Sequence, residues 1–142
     1  MAALTLSQAQ TIVQTALAKA REMKLAPMGV VVLDARGVLK AFAAEDGTSL
    51  RRADIAIGKA HGALAMGVGS RTLGKRAEER PHFIAAVTDA IGGSMIPVPG
   101  GVLIKGEGGF LGAVGVTGDT SDNDEACALA GIAAAGLTAD PS

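Results

Sequence analysis

The chain contains no tryptophan and no tyrosine, and Phe42, Phe83 and Phe110 are its only phenylalanines. Single-stranded nucleic acids are held largely by stacking bases on aromatic faces, so an aromatic platform for them has almost no material here. A field for polyanions is missing too. Thirteen Lys and Arg against fourteen Asp and Glu leave a formal charge of −1, which gathers neither DNA, RNA nor anionic lipid. The single cysteine, Cys127, excludes an intrachain disulfide and a CxxC zinc or redox motif, and is expected as a small buried hydrophobe. No apolar run is long enough to span a bilayer, and "LTLSQAQTIVQTALAKAREM" has polar residues in every turn where a signal peptide has an uninterrupted apolar stretch. The expected location is cytoplasmic, with no membrane partner.

What is present is a chain of 142 residues, 49% hydrophobic and 19% charged, with 20 glycines. That length suits one domain over 1–142 with one core. Because Ala and Gly supply much of the apolar fraction, the core is expected to be closely packed backbone rather than large side chains.

Thr5 followed by Gln8 forms a capping-box start, and Leu6, Ala9, Val13, Ala16, Leu17, Ala20 and Met23 recur at helical spacing. Val30 to Leu33 and Val38 to Ala43, joined by the turn-rich "DARG", predict an antiparallel hairpin. "TSLRRADIAIGKAHGALAMG" returns to helical period, with Thr48 or Ser49 as cap and an end at Gly67. "SRTLGKRAEER" reads as a polar stretch whose Arg71, Lys75, Arg76 and Arg80 form a solvated face. "HFIAAVTDAI" predicts a short helix. "SMIPVPGGVLIKGEGGFLGAVGVTGD" predicts two or three strands, and "SDNDEACALAGIAAAGL" a last helix with acidic residues at its positive end. The order is α, β, β, α, α, β, β, β, α. Strands arriving in hairpins favour an α+β fold, an antiparallel sheet covered by helices.

The glycines of "GGVLIKGEGGFLGAVGV" do not form a phosphate loop. A Walker A loop needs a lysine and a hydroxyl residue after its last glycine, and a dinucleotide fingerprint needs a third glycine where Leu111 stands. A hairpin turning at "GEGG" accounts for most of them. Gly112 and Gly115 inside the following strand, with Gly100 and Gly101 before it, are expected where a helix, a subunit or a ligand comes close to backbone.

Several segments in order resemble the GlcG/HbpS family, the haem-binding-protein-like domain also found at the C-terminus of PduO-type adenosyltransferases. They are "DIAIGKAHGA" with Lys59 and Ala60, "GGSMIPVPGGVLI" with Pro99, Gly100 and Gly101, and "GFLGAVGVTGDTSDNDEACALAG" with Gly112, Gly115, Val116, Gly118, Asp124, Glu125 and Ala128. The resemblance implies a profilin-like five-stranded antiparallel sheet flanked by helices, and assembly into a homo-oligomer. It also implies haem or iron binding in some relatives and accessory roles in glycolate, diol or aromatic catabolism in others.

Two readings of the candidate chemistry follow. As a binding protein for haem or a related tetrapyrrole, the chain offers His61 or His82 as axial donor to iron, with Lys59, Arg51 and Arg52 near the propionates and Gly100 and Gly101 allowing close approach. As a cofactor-free enzyme or accessory protein acting on a small organic acid, it offers His61, Lys59 and Glu125 for acid and base work of the tautomerase or hydratase kind. Competing structural roles are a core or interface position for His61 and an exposed one for His82. Lys59 is offered a salt bridge to Asp54 or Glu125, and Asp124 or Glu125 the capping of the last helix. An assembly module without a ligand is the third possibility.

Overall fold

A computed structural model describes residues 2–142. Helix α1 (Leu6–Glu22) begins as its capping box predicts: the Thr5 side chain accepts from the Gln8 N–H while the Gln8 side chain accepts from the Thr5 N–H. Strands β1 (Gly29–Asp34) and β2 (Leu39–Ala44) form the first hairpin. The Asp34 carboxylate closes its turn by accepting the Arg36 and Val38 N–H groups. Helices α2 (Arg52–Met66), α3 (Ser70–Glu79) and α4 (Pro81–Ala90) follow, then the hairpin of β3 (Gly101–Gly106) and β4 (Gly109–Thr117), α5 (Ser121–Ala134) and a short β5 (Ala139–Asp140). The sheet order is β2-β1-β4-β3-β5, antiparallel throughout.

Alternation along the strands sorts the core onto two faces. Val30, Val32, Val102, Ile104, Val114 and Val116 pack against α1 and α5. Val31, Leu33, Leu103 and Ala113 point the other way, against Ala56, Ala60 and Ala63 of α2. Beyond α2, helices α3 and α4 close a third, smaller cluster around Leu73, Ile84 and Met95.

Four expectations are corrected. "SRTLGKRAEER" is helix α3 rather than a polar stretch, because Leu73 is buried against α4 and Gly74 lies under the Pro97 carbonyl. "SMIPVP" is irregular and lies on α2 instead of joining the sheet, so the fifth strand is β5, after the last helix. Arg51 is the N-cap of helix α2, which receives no side-chain cap from Thr48 or Ser49. Thr120 caps α5, leaving the Asp124 and Glu125 carboxylates for other partners.

The expected close packing of backbone is found beneath α2. Gly101 and Gly115 are cross-strand partners. A Cβ on Gly101 would lie 2.3 Å from the Lys59 carbonyl oxygen, and one on Gly115 2.0 Å from that of Ala56. The helix backbone therefore rests on bare strand backbone. A Cβ on Gly112 would stand 2.1 Å from the Leu33 carbonyl oxygen of β1. Gly115→Ala is expected to cost at least about 3 kcal/mol, since neither backbone can yield as a flexible side chain would. Gly109→Ala, where a Cβ meets nothing within 4 Å, should change the urea midpoint little.

The loop after β4 is tied to the one before β1 by Asp119, whose carboxylate accepts the Ala26 N–H and an N–H of the Asn123 side chain. These bonds, led by that from Ala26, hold its carboxyl down at about 2 against an ordinary 3.8. A depressed carboxyl contributes stability above the unfolded value and loses it as pH falls through the folded one. Acid titration of unfolding should thus show the native chain losing ground between about pH 4 and 2, and Asp119→Asn losing less over that window.

Candidate functional site

Lys59 lies on the sheet side of α2 and is 2% exposed. Its ammonium donates to the Asp124 carboxylate at 2.9 Å and to the Val116 carbonyl at 2.9 Å. The other oxygen of Asp124 accepts the Asp119 N–H at 3.0 Å. Gly100, at φ +123, lets the lysine pass: a Cβ there would sit 2.8 Å from Nζ. Burial pushes the Lys59 ammonium below its usual range and the Asp124 carboxyl above its own, and the attraction between them opposes both shifts. The partner is Asp124, where the sequence offered Asp54 or Glu125. Asp54 pairs instead with Arg51 on the surface at 3.1 Å.

Glu125 belongs to a neighbouring pair. Its carboxylate accepts from Arg71 Nε at 2.9 Å, while the same guanidinium bonds Asp122. Arg71 therefore fastens α3 to α5, a correction to its reading as part of a solvated face. Ser70 completes the junction by accepting the Gly101 N–H at 2.7 Å.

His61 stands on a different side of α2. The Gly58 and Gly62 pair, one turn apart, lets residues 95 and 96 lie directly on the helix: a Cβ on Gly58 would meet Ile96 Cγ1 at 2.5 Å, and one on Gly62 would meet Met95 Cγ at 3.2 Å. The Ile96 N–H donates to the Gly58 carbonyl at 3.1 Å. So held, the segment presents the Ser94 carbonyl to His61 Nδ1 at 2.8 Å. A carbonyl can only accept, so Nδ1 carries a proton, and in the neutral ring Nε2 is the nitrogen with the lone pair. Nε2 makes no hydrogen bond within the described residues and is not enclosed. One turn before His61, a cleft of about 410 Å³ is lined by Asp54, Ile55, Ile57 and Gly58 of α2 and by residues 92–96.

The other candidates are scattered. His82 is exposed in the first turn of α4, and neither it nor His61 is among the residues that line that cleft. Arg51 is exposed at the start of α2 near the cleft mouth, paired with the lining residue Asp54. Arg52 donates to the Thr117 hydroxyl at 3.1 Å. Gly100 and Gly101 are committed to Lys59 and to α2. Lys59, His61 and Glu125 share no cavity, so the geometry does not assemble an acid–base trio. The Ser94 carbonyl, the hydrogen-bond partner of His61 among the described residues, carries no sequence signal beyond the flanking glycines. Among the described residues no group of three His, Cys, Asp or Glu could hold a bare metal ion.

Leaving one member of a buried ion pair uncompensated costs about 3–5 kcal/mol. Lys59→Met and Asp124→Asn should each approach that loss in chemical denaturation. The double variant, with no buried charge left, should recover a large part of it.

Comparison with known proteins adds to this geometry. A crystal structure of a PduOC–haem complex is 22% identical, with a TM-score of 0.85, covering 96% of this chain and 98% of that one. A crystal structure of HbpS is 27% identical, TM-score 0.81, covering 94% and 90%. A double mutant of HbpS from Streptomyces reticuli is 28% identical, TM-score 0.81, covering 94% and 87%. No curated protein matches. Residues 4–133 match the family described as haem degrading protein HbpS-like, and the chain belongs to that family.

Proposed function

We propose that this chain binds haem, or a related tetrapyrrole, on the outer side of α2, with His61 Nε2 as the donor to iron. The observation that carries this reading is the Nδ1 bond to the Ser94 carbonyl. An imidazole that ligates iron through one nitrogen is oriented by donating its other N–H, commonly to a backbone carbonyl, and His61 is already held that way. The residues fit the rest of the ligand. Ile55, Ile57, Met95 and Ile96 give an apolar wall, and Arg51 is an exposed cation whose surface pair with Asp54 can be exchanged for a propionate at little cost.

When bound, haem would supply an iron whose reactivity is set by its axial ligand and the polarity around it. The chain's own contribution is to fix the tautomer of His61, orient its ring and cover one side of the macrocycle with carbon. Exposed Leu39, Phe42 and Leu50 are apolar surface that self-association would cover. Family membership and a relative solved with haem support the choice of ligand.

Titration with hemin tests the reading. A Soret band should saturate at one haem per chain, persist in His82→Ala and collapse in His61→Ala, with circular dichroism confirming that both variants fold. A band unchanged in His61→Ala overturns the assignment of the donor, and no band in the parent chain overturns haem as the ligand. The protein lacks Trp and Tyr, so its concentration must be taken from a method other than absorbance at 280 nm.

A further inference from the structure

A cavity of about 830 Å³ opens at the end of the sheet where both hairpins turn. It lies across the β1–β2 turn from His61, whose ring reaches Gly37 of that turn. A volume of this order suits a small-molecule site. Its walls are mostly carbon: Ala2, Ala3 and Leu4 ahead of α1, Ala35 in the first turn, and Phe110 and Leu111 after the second.

Each hairpin has an irregularity here, and both irregularities serve the cavity. In the first, Leu33 pairs with Leu39 and Val32 with Ala41, which leaves Lys40 as the extra residue of a bulge. In the second, Lys105 pairs with Phe110 and Ile104 with Gly112, which leaves Leu111 as the extra residue. A bulge re-aims the side chain it carries. Lys40 and Leu111, the two extra residues, both line the cavity.

The charges are unequal in their commitments. Asp34 accepts two backbone N–H groups and the Arg36 guanidinium, so Arg36 already has a carboxylate partner, on the exposed side of its turn. Glu107 is exposed at the tip of its turn. Lys40 is half-buried and has no carboxylate within ion-pair distance among the described residues. A half-buried lysine that lines a carbon-walled cavity and has no carboxylate on it is a binding partner for an anion. Among the described residues no His, Cys or Met lines the space, so they offer none of the usual soft donors to a haem iron.

We propose that this cavity is a second binding site, for a small metal-free carboxylate with an apolar body. Its carboxylate pairs with Lys40 and its body lies against Leu4, Phe110 and Leu111. The proposal is independent of the haem reading.

Isothermal titration of the full chain with naphthoate, matched against the uncharged naphthamide, tests it. Naphthoate should bind at least about tenfold tighter than naphthamide, the factor that one modest charge-assisted contact supplies. Lys40→Met should remove that preference and Lys40→Arg should keep it. Phe110→Ala should weaken both ligands. Backbone amide shifts on binding should fall at residues 106–111. The proposal is overturned by equal affinity for the two ligands, by no binding of either, or by a preference that survives Lys40→Met. It is equally overturned by amide shifts at 92–96 instead, or by loss of naphthoate binding in His61→Ala.

Discussion

The fold depends on helix α2 lying directly on strand backbone. Side chains normally separate a helix from a sheet, and here Gly101 and Gly115 remove them at the point of closest approach. Everything that α2 carries is consequently fixed relative to the sheet. On its inner side Ala56, Ala60 and Ala63 fill the remaining gaps against Val31, Leu33, Leu103 and Ala113. On its outer side the Gly58 and Gly62 pair admits residues 95 and 96. A helix this small in its side chains is approached closely from both directions, which is why an Ala- and Gly-rich sequence still builds a dense core.

The same contact explains the electrostatics. With α2 so near the sheet, Lys59 can pass Gly100 and reach the Val116 carbonyl and Asp124 at the start of α5. The buried pair thereby joins helices on opposite faces of the sheet. Arg71 repeats the connection from α3 to Glu125 and Asp122. An isolated buried charge would be expelled or neutralised, whereas a pair with further hydrogen bonds is kept and specifies one arrangement. The residues that carry the family resemblance, Lys59, Gly100, Gly101, Gly115, Asp124 and Glu125, thus converge on holding the elements together. His61, the donor proposed for iron, takes no part in these ties.

The hairpins, the first and last long helices and the antiparallel sheet were legible in the sequence because each rests on local signals: a capping box, turn glycines and a clear period. The close approach at Gly112 and Gly115 was legible too, since glycine inside a strand calls for a neighbour. Helix α3 was not. Its polar composition hides a single buried Leu73, and the partner that buries it, α4, comes later in the chain. The "SMIPVP" segment has the apolar, β-branched look of a strand, but Pro97 and Pro99 remove donors, and glycines on α2 offer it a different surface. Lys59 pairs with a residue 65 positions away, so no spacing rule reaches it. His61 was identifiable as a candidate donor from residue type alone, while the carbonyl that fixes its tautomer is a backbone atom and leaves no mark in a sequence.

The contact between α2 and the sheet also distinguishes the two walls of the cleft one turn before His61. One wall is a helix pinned at the backbone and tied through a buried ion pair. The opposite wall is residues 92–96, which follow two glycines at positive φ, Gly92 and Gly93, whose surroundings are open. That side is the less tightly packed of the two. In the binding mode proposed above, the helix would set where a guest is held and the loop how thick a guest is admitted.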